Sequence, residues 1–270
     1  MKPWGVIRGT IGIAIMAGTL AAAEPDNPWA VTADLTWASK YMTDGFNVGG
    51  DHPTWQPMLK LDTPLKGVSL KYWTALQVDR ANRASDEHDA MLTYSRDFLA
   101  GSALPINLHG YLDFWDYPNQ DVTVGKDGNP VSAREKCGQK YHAGLSLPKS
   151  IPLAGSFLVP SYNYYFWNPN ERETFQAGGR HELILQYAHA IPVFIPRAKG
   201  QDVSTYASTS YHEGAFGITP GWSHSTAGLS TGVQALGGYF GWGVNYQWSY
   251  ESSVNPEDDF WTTVSATYGF

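Results

Sequence analysis

Apolar and polar residues alternate with a period of two along most of the chain. The clearest segment runs from Phe240 to Tyr250, where aromatic residues and Val alternate with Gly, Asn, Gln and Ser. Successive side chains of a β-strand point to opposite faces, so this segment predicts a strand with one apolar and one polar face. The same alternation, weakest at 203–211, predicts twelve strands near 31–37, 55–62, 68–79, 90–97, 106–114, 141–147, 161–166, 182–187, 203–211, 227–234, 240–250 and 260–270.

The first residues of the chain have a different pattern. Lys2 and Arg8 accompany an apolar run at 11–20, and residues 21–23 are all Ala. This arrangement is typical of a cleaved secretory signal peptide, so we expect residues 1–23 to be removed and residues 24–270 to form one domain. No apolar stretch after Glu24 is long enough for a membrane-spanning helix.

The apolar strand faces can pack on a second sheet in a soluble sandwich, or face lipid in a membrane barrel. The last segment favours the barrel, because alternating apolar residues continue to a terminal Phe, as in the final strand of bacterial outer-membrane proteins. In that class of protein the barrel-assembly machinery recognises the final strand. The predicted assembly signature consists of Val264, Ala266, Tyr268 and Phe270.

We therefore predict an all-β fold, a single transmembrane antiparallel up-and-down β-barrel of about 12 strands in the bacterial outer membrane. Closure is required because an open sheet edge would leave backbone polar groups bare in lipid. With both termini in the periplasm, the outside connections are 40–53, 80–88, 117–139, 168–179, 213–221 and 251–259, and the periplasmic ones are 63–67, 99–105, 148–155, 192–202 and 236–238. Ten or fourteen strands remain open, because 151–166 and 203–211 can be divided differently.

Composition and charge narrow the function classes. Charged residues make up 16% of the chain and aromatic residues 14%, which argues against a helical bundle, a coiled coil or an α/β enzyme. The net charge of −7 predicts no nucleic-acid partner, because phosphate binding needs a basic face. A single cysteine, Cys137, excludes a disulfide framework within the chain.

The first predicted hairpin resembles that of a known family. The stretch from Leu35 to Tyr41 ends in Ser-Lys-Tyr, and Gly45-Phe46, Pro53 and Gln56 follow. This segment is similar to the first hairpin of the TorF-like family of outer-membrane porins, in which a Ser-x-Tyr strand end precedes a loop Gly and a Pro/Gln pair. Asp44 stands where such porins usually carry an Arg. The resemblance implies a barrel with a channel role and identifies no ligand residues.

Several motifs suggest chemistry, and each also has a structural interpretation. Residues 228–232 match the Gly-x-Ser-x-Gly nucleophile elbow, but they lie inside an alternating strand rather than at a strained turn before a helix. Histidines with neighbouring hydroxyls, as in His142 with Ser146 and His224 with Thr226, are the pairs that a barrel-edge hydrolase would use, and His189 is predicted to face outward. Two acidic clusters, 86–89 and 257–259, either hold a divalent cation or are solvated loops, and we favour the latter. We expect no catalysis, no metal and no cofactor.

The polar strand faces are predicted to enclose a lumen, where charge is tolerated because it meets water or an opposite charge. Opposite charges there, such as Lys60 and Lys71 with Asp34 and Asp79, either brace the barrel or set solute selectivity. Inward aromatic residues, Trp73, Tyr111, Trp115, Tyr165 and Trp167, either offer stacking surfaces or fill the lumen. The lumen and selectivity candidates are Asp34, Lys60, Asp62, Lys71, Asp79, Asp97, His109, Asp113, His142, Glu182 and Gln186.

Together these observations predict a porin-like channel for passive diffusion of small polar solutes. Because acids outnumber bases among the lumen candidates, we expect a mildly acidic, narrow path that favours cations or neutral solutes. The alternative is a barrel that does not conduct, acting as an outer-membrane lipid hydrolase or as a surface or structural protein. The sequence leaves the identity of the solute and the oligomeric state open.

Overall fold

The computed structural model describes residues 29–102, 104–119, 137–170 and 175–270, and only the backbone of residues 80–82. The predicted signal peptide, residues 1–23, lies outside the described residues. Within the described part of the chain, no helix has the length and apolarity that crossing a membrane requires.

Twelve long strands in the described residues form one antiparallel sheet. Their alternating residues are rich in Val, Tyr, Trp, Thr and Leu, which suit a pleated surface. Three short strands, β2 (Met42–Thr43), β3 (Phe46–Asn47) and β9 (Ile151–Leu153), are numbered with the long ones in chain order. The long strands are β1 (Ala30–Ala38), β4 (Thr54–Asp62), β5 (Val68–Gln77), β6 (Glu87–Phe98), β7 (Ile106–Asp116), β8 (Cys137–Ser146), β10 (Ser156–Pro169), β11 (Gly178–Ile191), β12 (Gly200–His212), β13 (Gly221–Ala235), β14 (Gly238–Ser249) and β15 (Asp259–Gly269).

The sheet closes on itself. Each long strand pairs with its neighbours in the chain, and β1 pairs with β15, from Thr32 opposite Gly269 to Ala38 opposite Thr263. Pairing of β10 with β11 completes the ring of twelve. A closed ring leaves no bare edge among these strands, which is what a lipid environment demands. The predicted antiparallel barrel of about 12 strands is thus confirmed.

Side chains divide between the two faces of the wall as the alternation predicts. Outward positions carry exposed apolar residues, for example Leu35, Leu59, Leu70, Tyr72, Leu92, Phe114, Tyr141, Leu183, Leu185, Trp242, Val244, Phe260 and Val264. Inward positions carry buried polar residues, for example Gln56, Ser69, Asn107, Asn163, Ser208, Thr226, Gln247, Thr263, Ser265 and Thr267. We call these two surfaces the outer wall and the lumen.

The connections also divide into two sets. One end of the barrel, the long-loop end, is bridged by 39–53, 78–86, 117–136, 170–177, 213–220 and 250–258, parts of which lie outside the described residues. The other, the short-turn end, has 63–67, 99–105, 147–155, 192–199 and 236–237, with a short strand β9 (Ile151–Leu153) paired to β10. Strand β5 ends at Gln77, so Asp79, predicted on a lumen face, instead lies in a connection, where it meets His52 at 3.5 Å. Cys137 was expected in a loop but begins β8.

The connection 39–53 departs most from the predicted surface loop. It contains a hairpin of β2 (Met42–Thr43) and β3 (Phe46–Asn47), which we call the plug hairpin, and both Tyr41 and Met42 are buried. Its turn residues are Asp44 and Gly45, with φ of 53° and 92°. Positive φ at both central residues matches the type I′ turn, for which Asp-Gly is a preferred sequence. The loop turns inward because these buried residues find partners on the lumen side of the wall.

Candidate functional site

The plug hairpin ends in a charge cluster inside the lumen. The Lys140 ammonium donates to Asp44 Oδ1 and Oδ2 at 2.9 and 2.6 Å, and the Arg180 Nη2 donates to Asp44 Oδ1 at 2.9 Å. Lys140 lies near the start of β8 and Arg180 near the start of β11, both at the long-loop end. One carboxylate from the loop is therefore held by two cations from the wall. Charge-assisted bonds of this kind are stronger than neutral hydrogen bonds.

Further contacts fix the hairpin to distant parts of the wall. The Gln247 amide of β14 donates to the Gly45 carbonyl at 2.7 Å, and Lys40 contacts Asp259 of β15 at 2.5 Å. The Tyr41 hydroxyl donates to the Glu87 carboxylate of β6. Because these anchors come from separated strands, the hairpin spans the mouth of the lumen at the long-loop end.

Gly45 allows this close approach. A Cβ added at Gly45 would collide with the imidazole of His224 on β13, and the residue also has positive φ. Glycine is therefore required at this position by both backbone conformation and space.

An aromatic platform lies beside the two cations. The Lys140 Nζ is 5.0 Å from the ring centre of Tyr165 and 5.3 Å from that of Trp167, and the Arg180 guanidinium is 4.3 Å from the Tyr165 ring centre. His212 stacks on Trp167 at 5.9 Å with an interplanar angle of 10°. Cation–π contacts hold the two positive groups in place. The predicted inward aromatic residues Trp73, Tyr111, Trp115, Tyr165 and Trp167 all lie on this lumen side, packed around or near the plug hairpin.

The electrostatics of the cluster favour an ionised Asp44. Burial raises the pKa of the Asp44 carboxyl, but the charges of Lys140 and Arg180 lower it by more, so the pKa lies below its ordinary value. The docked hairpin thus carries a negative charge at neutral pH, which matches the cations that receive it.

A cavity continues from the hairpin along one side of the lumen. It has a volume of about 890 Å³ counted with its open mouth, and Asp44, Arg180 and Glu182 are at its edge. Its wall is formed by β11 to β15 and is rich in hydroxyl and amide groups, including Ser204, Ser208, Thr226, Ser230, Asn245 and Gln247. Such a lining can exchange hydrogen bonds with water or with a polar solute.

The structure places the sequence-predicted lumen residues as follows. Ten lie on barrel strands and Asp79 does not. Three of the carboxylates accept hydrogen bonds: Asp34 from Thr267 at 2.6 Å, Asp97 from Asn107 at 2.6 Å and Glu182 from Tyr165 at 3.0 Å. Lys60 contacts Asp62 at 2.7 Å, and His109 and His142 contact Asn163 at 3.0 and 3.1 Å. Gln186 lines the cavity, and Lys71 and Asp113 are inward on β5 and β7. Asp79 is not one of the opposite charges predicted to meet Lys60 and Lys71 in the lumen, because it lies in a connection at the long-loop end. Whether these residues set selectivity stays a prediction.

Sequence reasoning missed the central residues of the site. Asp44 lay in a predicted surface loop, although Asp-Gly is a recognisable hairpin signal. Lys140 and Arg180 lay just before the predicted strands 141–147 and 182–187, because both strands begin earlier than expected. Each is two residues from an inward residue, His142 or Glu182, so period-two counting extended backwards would have found them.

The first acidic cluster is not a solvated loop, which corrects our preferred interpretation for 86–89. In the second cluster Glu257 and Asp258 are exposed in a connection, as that interpretation expects, and only Asp259 is buried. Glu87 and Asp89 belong to β6 and are buried, and Asp86 is buried beside them. Asp86 accepts from the Gln77 backbone N–H at 2.6 Å, and Asp259 of the second cluster accepts from Asn255 at 2.7 Å. Among the described residues, no group of three or more His, Cys, Asp or Glu side chains has an arrangement that could hold a metal ion.

The candidate catalytic motifs lie on barrel strands. Residues 228–232 lie within β13. The His142 Nε2 meets Asn163, and the His224 Nδ1 meets the hydroxyl of Ser223 at 2.9 Å, with both imidazoles buried in the lumen. His189 stacks on Tyr187 at 6.2 Å.

A separate hydrogen-bonded chain occurs on the outer wall at the long-loop end. The Tyr162 hydroxyl is 2.7 Å from His181 Nδ1, and His181 Nε2 is 2.8 Å from Glu213 Oε1. Tyr164 donates to the other oxygen of Glu213 at 3.2 Å. These side chains join β10, β11 and the residue after β12, and the sequence patterns did not indicate them.

Comparison with solved structures places the fold among known barrels. The chain is similar to the NanC porin, with a TM-score of 0.51 and 8% identity over 88% of this chain and 98% of that one. It is also similar to LpxR from Salmonella typhimurium, with a TM-score of 0.48 and 12% identity over 88% and 99% of the two chains. An outer membrane channel from Pseudomonas putida F1 gives a TM-score of 0.47 and 8% identity over 90% and 96%.

No protein-family model matches the sequence, and no curated protein matches it. At the identities found, the likeness to the NanC porin concerns the fold, which is that of an outer-membrane β-barrel.

Proposed function

We propose that the protein is an outer-membrane channel for passive diffusion of small polar solutes, with the plug hairpin as its constriction. One observation carries the proposal: a closed barrel has an apolar outer wall and a polar lumen that continues into a hydroxyl-lined cavity beside the hairpin. Polar side chains around an enclosed path are what a water-filled channel requires.

The proposal includes the membrane context. Exposed apolar side chains of the outer wall face outer-membrane lipid, the termini lie in the periplasm, and the barrel-assembly machinery recognises the last strand through Val264, Ala266, Tyr268 and Phe270. The wider assignment to the TorF-like porins is part of the same proposal, and it rests on the first hairpin.

Solutes pass the plug hairpin on the side of the cavity. There the wall offers neutral hydrogen-bonding groups, whereas charged residues concentrate around Lys140, Arg180 and Glu87. Small solutes exchange hydrogen bonds with the neutral side and meet the charges at the constriction. Selectivity by such groups follows the general rule for pores, in which charge and hydrogen-bonding groups at the narrowest point decide what passes.

Conductance tests the proposal. Purified protein, reconstituted in a planar bilayer in KCl, should give discrete single-channel steps. A variant lacking residues 42–47 of the plug hairpin should give larger steps, because the constriction is removed. If both proteins leave the bilayer silent while circular dichroism shows intact β-structure, the channel proposal is wrong.

A second candidate function, hydrolysis of a membrane lipid, is supported by the chain Tyr162–His181–Glu213 on the outer wall. In it a carboxylate orients an imidazole that can accept a proton from a hydroxyl, the order found in nucleophilic hydrolases. The rate at which the protein releases hydrolysed lipid from vesicles should then fall in the His181→Gln variant. It should persist in His88→Gln, a matched change on the outer wall, where the Tyr72 hydroxyl is 2.7 Å from His88 Nδ1. No lipid release by the unaltered protein would remove this candidate.

A further inference from the structure

We infer that Lys140 and Arg180 form a binding site for a carboxylate solute that carries hydroxyl groups, and that Asp44 occupies this site when the solute is absent. The inference rests on the proposed channel function and names its solute class. The proposed site also revises the expectation that the lumen favours cations. That expectation came from the excess of acids among the lumen candidates, and these did not include Lys140 and Arg180.

The geometry is that of carboxylate recognition. Both oxygens of Asp44 are used: Oδ2 meets Lys140 at 2.6 Å, and Oδ1 meets Lys140 and Arg180, each at 2.9 Å. Lys140 stands directly opposite Asp113 in the register of β7 and β8, yet its ammonium is directed to the plug hairpin. The wall therefore presents two convergent cations, and the group that fills the space between them is a carboxylate from a loop.

Both cations are held in place without the loop. Arg180 is 2% exposed, is 3.8 Å from Glu182, and lies over the Tyr165 ring. Lys140 lies over the rings of Tyr165 and Trp167. Their positions on barrel strands and aromatic faces mean that a site remains if Asp44 leaves.

The neighbouring groups indicate hydroxyls on the solute. The cavity reached from Asp44 and Arg180 is lined by Glu182, Gln186, Ser208 and Thr226, which are acceptors and donors for hydroxyl groups. The face of Tyr165 or Trp167 can cover a compact carbon skeleton. A polyhydroxylated carboxylate, such as a sugar acid, satisfies the cations and this lining together.

Because the solute would replace the Asp44 carboxylate, the site should select solutes by their negative charge. Removing Asp44 takes away the carboxylate that Lys140 and Arg180 share. Glu182 stays 3.8 Å from Arg180 and Asp113 stays opposite Lys140, but the ionic hydrogen bonds that join the two buried cations are lost, which is costly unless another anion replaces the carboxylate. A carboxylate solute restores the same ionic hydrogen bonds, whereas an uncharged sugar does not. Asp44 can withdraw because it sits at the tip of a two-residue turn in a connection, whereas its partners are on strands.

Calorimetric titration tests the inference, with glucuronate as the probe and glucose as its uncharged counterpart. Asp44→Asn keeps a residue suited to the turn and removes the competing charge, so glucuronate should bind about tenfold tighter than to the unaltered protein. Lys140→Gln in the D44N background should abolish that gain. Asp51→Asn is the matched control, since Asp51 is on the same connection but 79% exposed and paired with Lys40.

The outcomes separate the inference from the channel proposal. Equal glucuronate affinity in the unaltered protein and D44N, or a gain for glucose equal to that for glucuronate, overturns the carboxylate site even if the protein conducts. A gain confined to glucuronate and lost with K140Q supports the site even if bilayers stay silent, in which case the channel proposal alone fails. Circular dichroism of each variant confirms that the barrel has folded.

Discussion

Neutralising Asp44 should release the plug hairpin from the lumen wall. The change Asp44→Asn removes a carboxylate that is bound to Lys140 and Arg180 at 2.6–2.9 Å, while Asn retains the backbone preference of the turn. Removing one partner of a buried ion pair costs about 3–5 kcal/mol, and the water-accessible cavity beside Asp44 places this case at the lower limit. A loss of about 3 kcal/mol raises the undocked population of the hairpin by about 100-fold.

Accessibility of Met42 measures this population. Met42 is 3% exposed when the hairpin is docked, so a Met42→Cys side chain reacts with a thiol reagent only after undocking. The background carries Cys137→Ser, because Cys137 is a free, half-buried cysteine. The labelling rate should rise by about 100-fold in D44N, since the rate follows the open population when reclosing is fast.

The Asp51→Asn change provides the control, because Asp51 is charged and on the same connection but largely exposed. Surface ion pairs contribute little, so this variant should label at nearly the unaltered rate. Equal labelling rates in D44N and D51N would show that the Asp44 ion pairs do not hold the hairpin in the lumen.

Three further predictions use the same barrel. Gly45→Val should raise the Met42→Cys labelling rate because its side chain would collide with the imidazole of His224. Gly50→Val, also at a positive φ but with only van der Waals contact at 3.8 Å around an added Cβ, should affect that rate much less. Docking lowers the pKa of Asp44, so the docked hairpin is stabilised above the ordinary carboxyl pKa and loses that stabilisation as the pH falls through the lowered value. The labelling rate of Met42→Cys should therefore rise below about pH 4, and it should rise less in D44N. Leu183→Arg, on the outer wall in the middle of β11, should lower the free energy of unfolding by about 2–4 kcal/mol in a urea titration in lipid, whereas Gln186→Arg, on the cavity lining, should lower it far less.

The barrel itself was predictable because a single physical demand acts on every strand. Each strand must turn one face to lipid and the other to the lumen, so apolar residues recur at every second position, as in Trp242, Val244 and Tyr246. Closure follows from the same demand, because backbone groups in lipid need partners. These rules are local in sequence and apply in the same way to all strands.

The plug was not predictable from these rules. Asp44 and Gly45 predict a tight hairpin, but no residue near them in sequence indicates that the hairpin enters the lumen. The partners of the hairpin are far along the chain: Gln247 is 202 residues from Gly45. Glu87 and Asp89 were misjudged for a related reason. Charged residues at a strand boundary look like solvated loop residues, and only the fold shows that the buried hydroxyls of Tyr41 and Tyr117 donate to Glu87.

The seam between β1 and β15 joins the first barrel strand to the last, and the plug hairpin follows β1 directly. The contacts of Lys40 with Asp259 and of Gly45 with Gln247 therefore connect the beginning of the barrel with its final two strands. Such contacts form late, because a long stretch of chain must be ordered before its ends meet. The plug hairpin would consequently dock only when the barrel closes, so that a partly assembled protein would have an open, curved sheet, whereas the closed barrel carries the hairpin inside its lumen.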